Sequence, residues 1–322
     1  MLLHFDHFVG PSVTRKIVCR ALVVLGLISP CVPAIAAQAG RIDYSKATAK
    51  IISLRGNVSL LQVRRGDGVD NIGVLTGPEG YLLVDHPEAA GHPVVQKALD
   101  DFGKRPVRFL INTHWHYDHV GGNEIYAPEA VVIAHENVRK RLMTTQNPAW
   151  STAPIGPYPE RAWPRITFRD SLTVHFARED VDVVHYANAH TDGDSIVYFA
   201  RANVAQTGDV FHGKGQISLG VDMEGMTRLL AAVVERINDD TIIITGHGEL
   251  SNRREMAEYV QLLNDAIAQV KQGIAEGKSD QQIQALGMPE KWKQWPAPDN
   301  AEMVPRLNHM IYRTLRDQDL NQ

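Results

Sequence analysis

The chain has 322 residues, 44% of them hydrophobic and 22% charged, which suits one large or two small globular domains. Its formal charge of -4, without basic clustering, excludes a general binder of nucleic acid or other polyanions.

Residues 1–36 read as an export leader. Arg15, Lys16 and Arg20 form a basic start, residues 21–28 (ALVVLGLI) an apolar core, and Ala34-Ile35-Ala36 a small-x-small cleavage site. The apolar run is far short of the ~20 residues a membrane span needs, and Pro30 and Pro33 end it. The expected location is therefore periplasmic or secreted, with no membrane contact after cleavage. Both cysteines, Cys19 and Cys31, leave with the leader, and the mature charge becomes about -6. The mature chain then has no disulfide and no thiolate, so any metal site must use nitrogen and oxygen donors. A chain of this length buries enough surface to fold without staples.

From about Lys50 the pattern predicts strands at 57–63, 71–77 and 80–86, parted by Gly-rich turns. A helix at 90–102 and a buried strand at 107–113 follow, then a strand at 130–135 and a short basic helix at 136–144. Residues 145–165 are proline-rich and carry Trp150, Tyr158 and Trp163 without a period. Two readings stand there: a surface loop whose aromatics tuck into the body, or a loop at the rim of a site that holds substrate.

Strands are predicted next at 166–169, 172–176, 181–186, 195–200 and 203–207, a helix at 224–238, and the strand TIIIT at 241–245. Strands and helices alternate in two halves, which reads as an α/β sandwich over residues 45–250, sheet against sheet with helices outside. The tail, 251–322, reads as a helical extension packed on it. Met256, Val260, Leu263, Ile267, Val270 and Ile274 form one apolar stripe. Ser279 with Gln282 reads as a capping box, and Asn300 as the cap of a last helix carrying Met303, Leu307, Met310 and Ile311.

The stretch 112–123, NTHWHYDHVGGN, gathers His114, His116, Asp118 and His119 just after a buried strand. His114 and His116, two apart on an extended segment, point the same way. Asp118 and His119 begin a turn, and Gly121-Gly122 is expected to supply the backbone freedom for a sharp fold into a helix. His190 in NAHTDGDS, Asp209 in AQTGDVF and His247 in TIIITGHGE also follow predicted strands and precede tight turns. Donors at strand ends on one edge can converge. His86, His175, His185 and His309 lack that context and read as structural or exposed; His212, three residues past Asp209, is intermediate.

The ordered set His-x-His-x-Asp-His, His, Gly-Asp and Gly-His-Gly resembles the metallo-β-lactamase superfamily over nearly all of 50–250. The resemblance implies a four-layer αββα sandwich with a dinuclear metal site. It assigns His114, His116 and His190 to one metal, Asp118, His119 and His247 to the other, and Asp209 to both. Asp85 matches a position that orients a ligand histidine. The nitrogen and oxygen donors suit two zinc ions, with iron or manganese as alternatives. Two such ions share and activate a water that attacks a carbonyl, with Asp118 also handling its proton. An Asp at 209 is similar to the glyoxalase-II-like, lactonase and phosphodiesterase branches, although NAHTDGDS departs from the glyoxalase pattern. The expected activity is an exported dinuclear zinc hydrolase of a small ester, lactone, thioester or lactam. A dedicated β-lactamase and a non-hydrolytic di-iron or metal-binding member are the alternatives.

Overall fold

The computed structural model describes residues 42–320 except 67, 149, 150 and 152. The expected leader and Trp150 lie outside the described residues. Seven strands form the first sheet in sequence order: β1 (Thr48–Arg55), β2 (Val58–Arg65), β3 (Gly68–Gly77), β4 (Gly80–Val84), β5 (Val107–Ile111), β6 (Val131–His135) and β7 (Ile166–Phe168). The sheet is antiparallel from β1 to β4 and parallel from β4 to β7. Five strands form the second: β8 (Ser171–Phe176), β9 (Glu179–His185), β10 (Ser195–Phe199), β11 (Val204–Gln206) and β12 (Ile242–Ile244). β12 joins it in parallel, beside β11.

The helices are α1 (His92–Phe102), α2 (Tyr117–Val120), α3 (Asn123–Tyr126), α4 (Glu136–Met143), α5 (Met223–Arg236), α6 (Arg253–Ala275), α7 (Asp280–Gln284) and α8 (Met303–Leu320). Adjacent residues on a strand face opposite layers, and the core divides accordingly. Leu60, Leu82, Ile111 and Ile133 meet Val183, Val197, Phe199 and Ile244 between the sheets. Their neighbours Leu61, Leu83, Leu110 and Val132 turn outward onto Val95 and Leu99 of α1. Ile196, Tyr198 and Ile243 turn outward from the second sheet onto α5, α6 and α8. This is the expected αββα sandwich. Strands covered on both faces need no polar alternation, which is why GYLLV is apolar throughout and fully buried.

Strand β1 was not among the sequence expectations. It is an edge strand with no fully buried residue and with Thr48, Lys50 and Ser53 exposed, so it leaves little hydrophobic signature. The apolar stripe of α6 is as expected: Met256, Leu263 and Val270 are fully buried against α5 and α8. The Ser279–Gln282 capping box is present on α7. Asn300 does not cap α8. Its Oδ1 accepts from Ile217 N at 2.8 Å and its Nδ2 donates to Gln216 Oε1 at 2.9 Å. A long-range partner outcompeted the local one, and the extension is thereby tied to the loop that follows Asp209.

Candidate metal centre

Donor residues converge because several strands stop at one edge of the sandwich. β5 delivers His114 and His116, β11 delivers Asp209 and β12 delivers His247, while His190 occupies the turn between β9 and β10. The turn into α2 carries Asp118 and His119. Gly121 and Gly122 play a different part from the one expected. Their φ angles are -63° and -83°, open to any residue. A side chain is excluded by contact instead: a Cβ on Gly121 would lie 2.2 Å from Pro87 O, and one on Gly122 2.5 Å from the His86 ring. Gly246 has a similar role, since its Cβ would meet Asp209 Oδ1 at 2.2 Å. These glycines let the site loops close on one another.

All seven residues singled out from the sequence are brought together. His114, His116, His190 and Asp209 form one group, and Asp118, His119 and His247 another, with the donor atoms of each within 4.8 Å of one another. Asp209 touches both. Its Oδ1 lies 3.1 Å from His119 Nε2 and 3.4 Å from His247 Nε2, and its Oδ2 3.8 Å from His114 Nε2 and 3.6 Å from His190 Nε2. His119 Nε2 faces His247 Nε2 at 3.3 Å, and His190 Nε2 faces His116 Nδ1 at 2.9 Å. His247 Nε2 is 3.4 Å from Asp118 Oδ2.

The donors fit a pair of cations. Ring nitrogens aimed at each other present lone pairs that repel unless a proton or a metal lies between them. Asp209 Oδ1 and His114 Nε2 are buried without a hydrogen-bond partner, although buried polar atoms normally find one. Separations of 3.1–3.4 Å around Asp209 Oδ1 match the edges of a polyhedron whose centre is about 2.0–2.1 Å from each donor.

Behind the donors, a second set of bonds fixes the rings. Asp85 adopts φ 64°, rare for a residue with a side chain. Its carboxylate accepts from Thr113 N at 2.7 Å, from Thr113 Oγ1 at 2.8 Å and from His119 Nδ1 at 3.0 Å. Thr113 Oγ1 in turn accepts from His114 Nδ1 at 3.1 Å. His190 Nδ1 donates to Leu219 O at 2.5 Å and His247 Nδ1 to Val69 O at 2.7 Å. With Nδ1 committed, Nε2 of His114, His119, His190 and His247 turns to the centre, the usual arrangement behind a metal.

A sequence profile described as the metallo-beta-lactamase superfamily matches residues 65–247. The chain belongs to that superfamily. Solved structures agree on the fold. A metallo-beta-lactamase from Pontibacter korlensis superposes with a TM-score of 0.57 at 15% identity, over 68% of this chain and 100% of that one. The DIM-1 metallo-beta-lactamase gives 0.56 at 16% identity, over 68% and 98%. A double mutant of the sec-alkyl sulfatase PisA1 gives 0.62 at 15% identity, over 83% of this chain but half of the sulfatase.

The superfamily site is electrically uneven in this member. Burial lowers His114 well below the ordinary histidine value, helped by the charge of His119. Burial also pushes His116 down to about 3 and lowers His190. Burial is the largest single effect on His119 and His247 and would lower both, but the carboxylates around them together outweigh it and hold both well above the ordinary value: Asp209 first at each, with Asp85 at His119 and Asp118 and Asp70 at His247. Burial would raise Asp118 and Asp209; the neighbouring His119 and His247 outweigh it and lower both.

Sequence reasoning missed what lies behind His247. Asp70 Oδ1 is 3.4 Å from His247 Nδ1, and Arg65 and Tyr44 donate to the same carboxylate. Asn71 Nδ2 donates to Thr245 O and Gly248 O, and Gln62 Nε2 to Gly248 O. The available signal was polar residues inside apolar strands: Gln62, Asp70 and Asn71 are all buried. Of the two readings for the proline-rich loop, Tyr158 and Trp163 follow the first. They pack against Trp115, Val138, Leu142 and Ile155 beneath α2. The four histidines expected to be structural or exposed are so: His86 is fully buried, His175 pairs with Asp180, His185 stacks on His135 at 3.6 Å and His309 pairs with Asp280.

Proposed function

We propose that the chain is a dinuclear metallo-hydrolase. In this reading His114, His116 and His190 hold one ion, Asp118, His119 and His247 the other, and Asp209 spans both. The observation that carries it is the Asp209 carboxylate, whose two oxygens face two separate sets of donors. Zinc is the proposed metal, because imidazole and carboxylate donors suit it, with iron or manganese as the alternatives the same donors accept. Two such ions, when bound, lower the pKa of a shared water and polarise the electrophile.

The protein's own residues supply the rest. Asp85 and Thr113 hold the rings of His119 and His114 in place. Asp118 uses Oδ2 toward His247, which leaves its other oxygen to orient the attacking water and receive its proton. The proposed substrate is a small neutral or anionic ester, lactone, thioester or lactam. The sulfatase likeness covers more of this chain than the β-lactamase likenesses do, which supports a sulfate ester as the second candidate.

We also propose export to the periplasm or beyond, on the leader pattern in residues 1–36. Among the described residues no helix is long and apolar enough to cross a membrane. N-terminal sequencing after export is expected to find a start near Ala37, and an intact Met1 would overturn the assignment. For the activity, metal analysis of natively expressed protein is expected to give two zinc ions per chain. A panel of chromogenic lactams, lactones, thioesters, secondary alkyl sulfates and phosphodiesters is expected to show metal-dependent turnover of an acyl substrate. Turnover of sulfates or phosphodiesters alone would overturn the carbonyl assignment.

A further inference from the structure

We propose that His212 is an eighth donor to the metal centre, ligating the ion held by Asp118, His119 and His247. The inference rests on the dinuclear reading and extends it. His212 Nε2 lies 3.5 Å from Asp209 Oδ1, and the His212 ring centroid is 5.3 Å from that of His247. The Nε2 is buried and makes no hydrogen bond, and so is the Asp209 oxygen it faces. Three imidazole nitrogens therefore ring one carboxylate oxygen: His119 at 3.1 Å, His247 at 3.4 Å and His212 at 3.5 Å.

At 3.5 Å the His212 contact is long for a hydrogen bond but right for two donors of one ion. An ion about 2.1 Å from both atoms subtends an angle of about 113° across 3.5 Å. The corresponding angle is about 95° for His119 at 3.1 Å and about 108° for His247 at 3.4 Å. All three fall at or between octahedral and tetrahedral values, give or take a few degrees.

The loop fixes the backbone at His212. His212 comes two residues after the short turn at Gly208–Val210. Its carbonyl is pressed against the Gly248 turn, where an added Cβ would meet His212 O at 2.5 Å. The segment beyond it is tied to the helical extension by Asn300, by Ala297 N donating to Gly215 O and by Tyr259. The backbone that carries the ring is thus held by contacts from both sides.

The consequence is a division of labour. One ion would have five protein donors, Asp118, His119, His247, Asp209 and His212, and the other four, His114, His116, His190 and Asp209. The ion with fewer protein donors has more room to add a ligand, so substrate would be directed to the His114–His116–His190 side.

The test compares the full-length wild type with His212→Ala and His212→Gln, the second keeping the bulk. Cobalt(II) is loaded and followed by chelator competition, metal content and visible absorption, with circular dichroism as the check on folding. Both variants are expected to hold one ion as the wild type does and the other at least about 10–100-fold more weakly. The cobalt bands should intensify as that ion loses a donor. Two ions in the wild type with unchanged affinities and spectrum in both variants would overturn the ligand role alone. A wild type that binds no pair of ions would overturn the dinuclear reading and the ligand role with it.

Discussion

His114 and His190 rest on neutral groups, whereas His119 rests on a carboxylate and His247 has one beside its carbonyl partner. Thr113 Oγ1 and Leu219 O take the Nδ1 protons of His114 and His190. Asp85 takes that of His119, and Asp70 lies under His247 beside Val69 O. The neutral side keeps its rings uncharged and ready for a cation. The carboxylate side holds protons until a cation displaces them. The two neighbouring donor groups thus differ in charge before any cation arrives.

Removing the residue that belongs to both sides should do most damage. In Asp209→Ala two cations would face each other without the carboxylate between them. Hydrolysis is expected to fall by more than the ~100-fold that an outer partner costs, with at least one ion lost. The circular dichroism spectrum should be unchanged, because the three main cores lie elsewhere. Full turnover with two tightly held ions would show that Asp209 does not bridge.

Asp85→Asn separates the sides. Its amide cannot serve as the anionic acceptor for His119 Nδ1, and metal affinity on that side should fall about 10–100-fold. Asp70→Asn should cost less, because Val69 O already takes the His247 proton. Equal losses at both ions, measured by chelator competition, would break the contrast.

The pH dependence should sharpen it. His119 and His247 are raised, so a metal must displace their protons. Affinity on that side is expected to climb by about tenfold per unit for each proton displaced until pH reaches the raised values. His114, His116 and His190 are lowered, so affinity on their side should be flat near neutrality. The metal-free chain should show the same split in stability. The lowered histidines contribute above the unfolded value of ~6.5 and lose that contribution as pH falls, for His116 toward about 3. The raised pair contributes below ~6.5 and loses its share as pH rises through the raised values. Metal titrations and melting curves from pH 5 to 9 check both.

The smallest effect is expected at Tyr259, whose hydroxyl accepts from Ser218 N at 2.9 Å and donates to Ser218 O at 3.0 Å. Ser218 precedes Leu219, the partner of His190. Tyr259→Phe removes two hydrogen bonds of about 1 kcal/mol each and leaves the core filled. A few-fold loss of affinity on the His190 side alone is expected. A loss at both ions would mean that the extension supports the whole site rather than one side of it.

The amino-acid sequence by itself determined the sandwich and the convergence of seven potential metal donors. Both are written locally. Buried strands such as GYLLV and VRFLI announce themselves as apolar runs, and each donor sits in a short motif at the end of one. Their order along the chain was enough to bring His114, His116, Asp118, His119, His190, Asp209 and His247 to one edge. The tertiary structure decided what stands behind them. Asp70 reaches His247 from 177 positions away, and Asn300 reaches Ile217 across 83. Gly121 and Gly122 are small because of Pro87 and His86, and not because of their own backbone angles. Strand β1 is a strand because β2 offers it a free edge. Such choices depend on which distant atom arrives at hydrogen-bonding or contact distance, and no local pattern of residues encodes that distance.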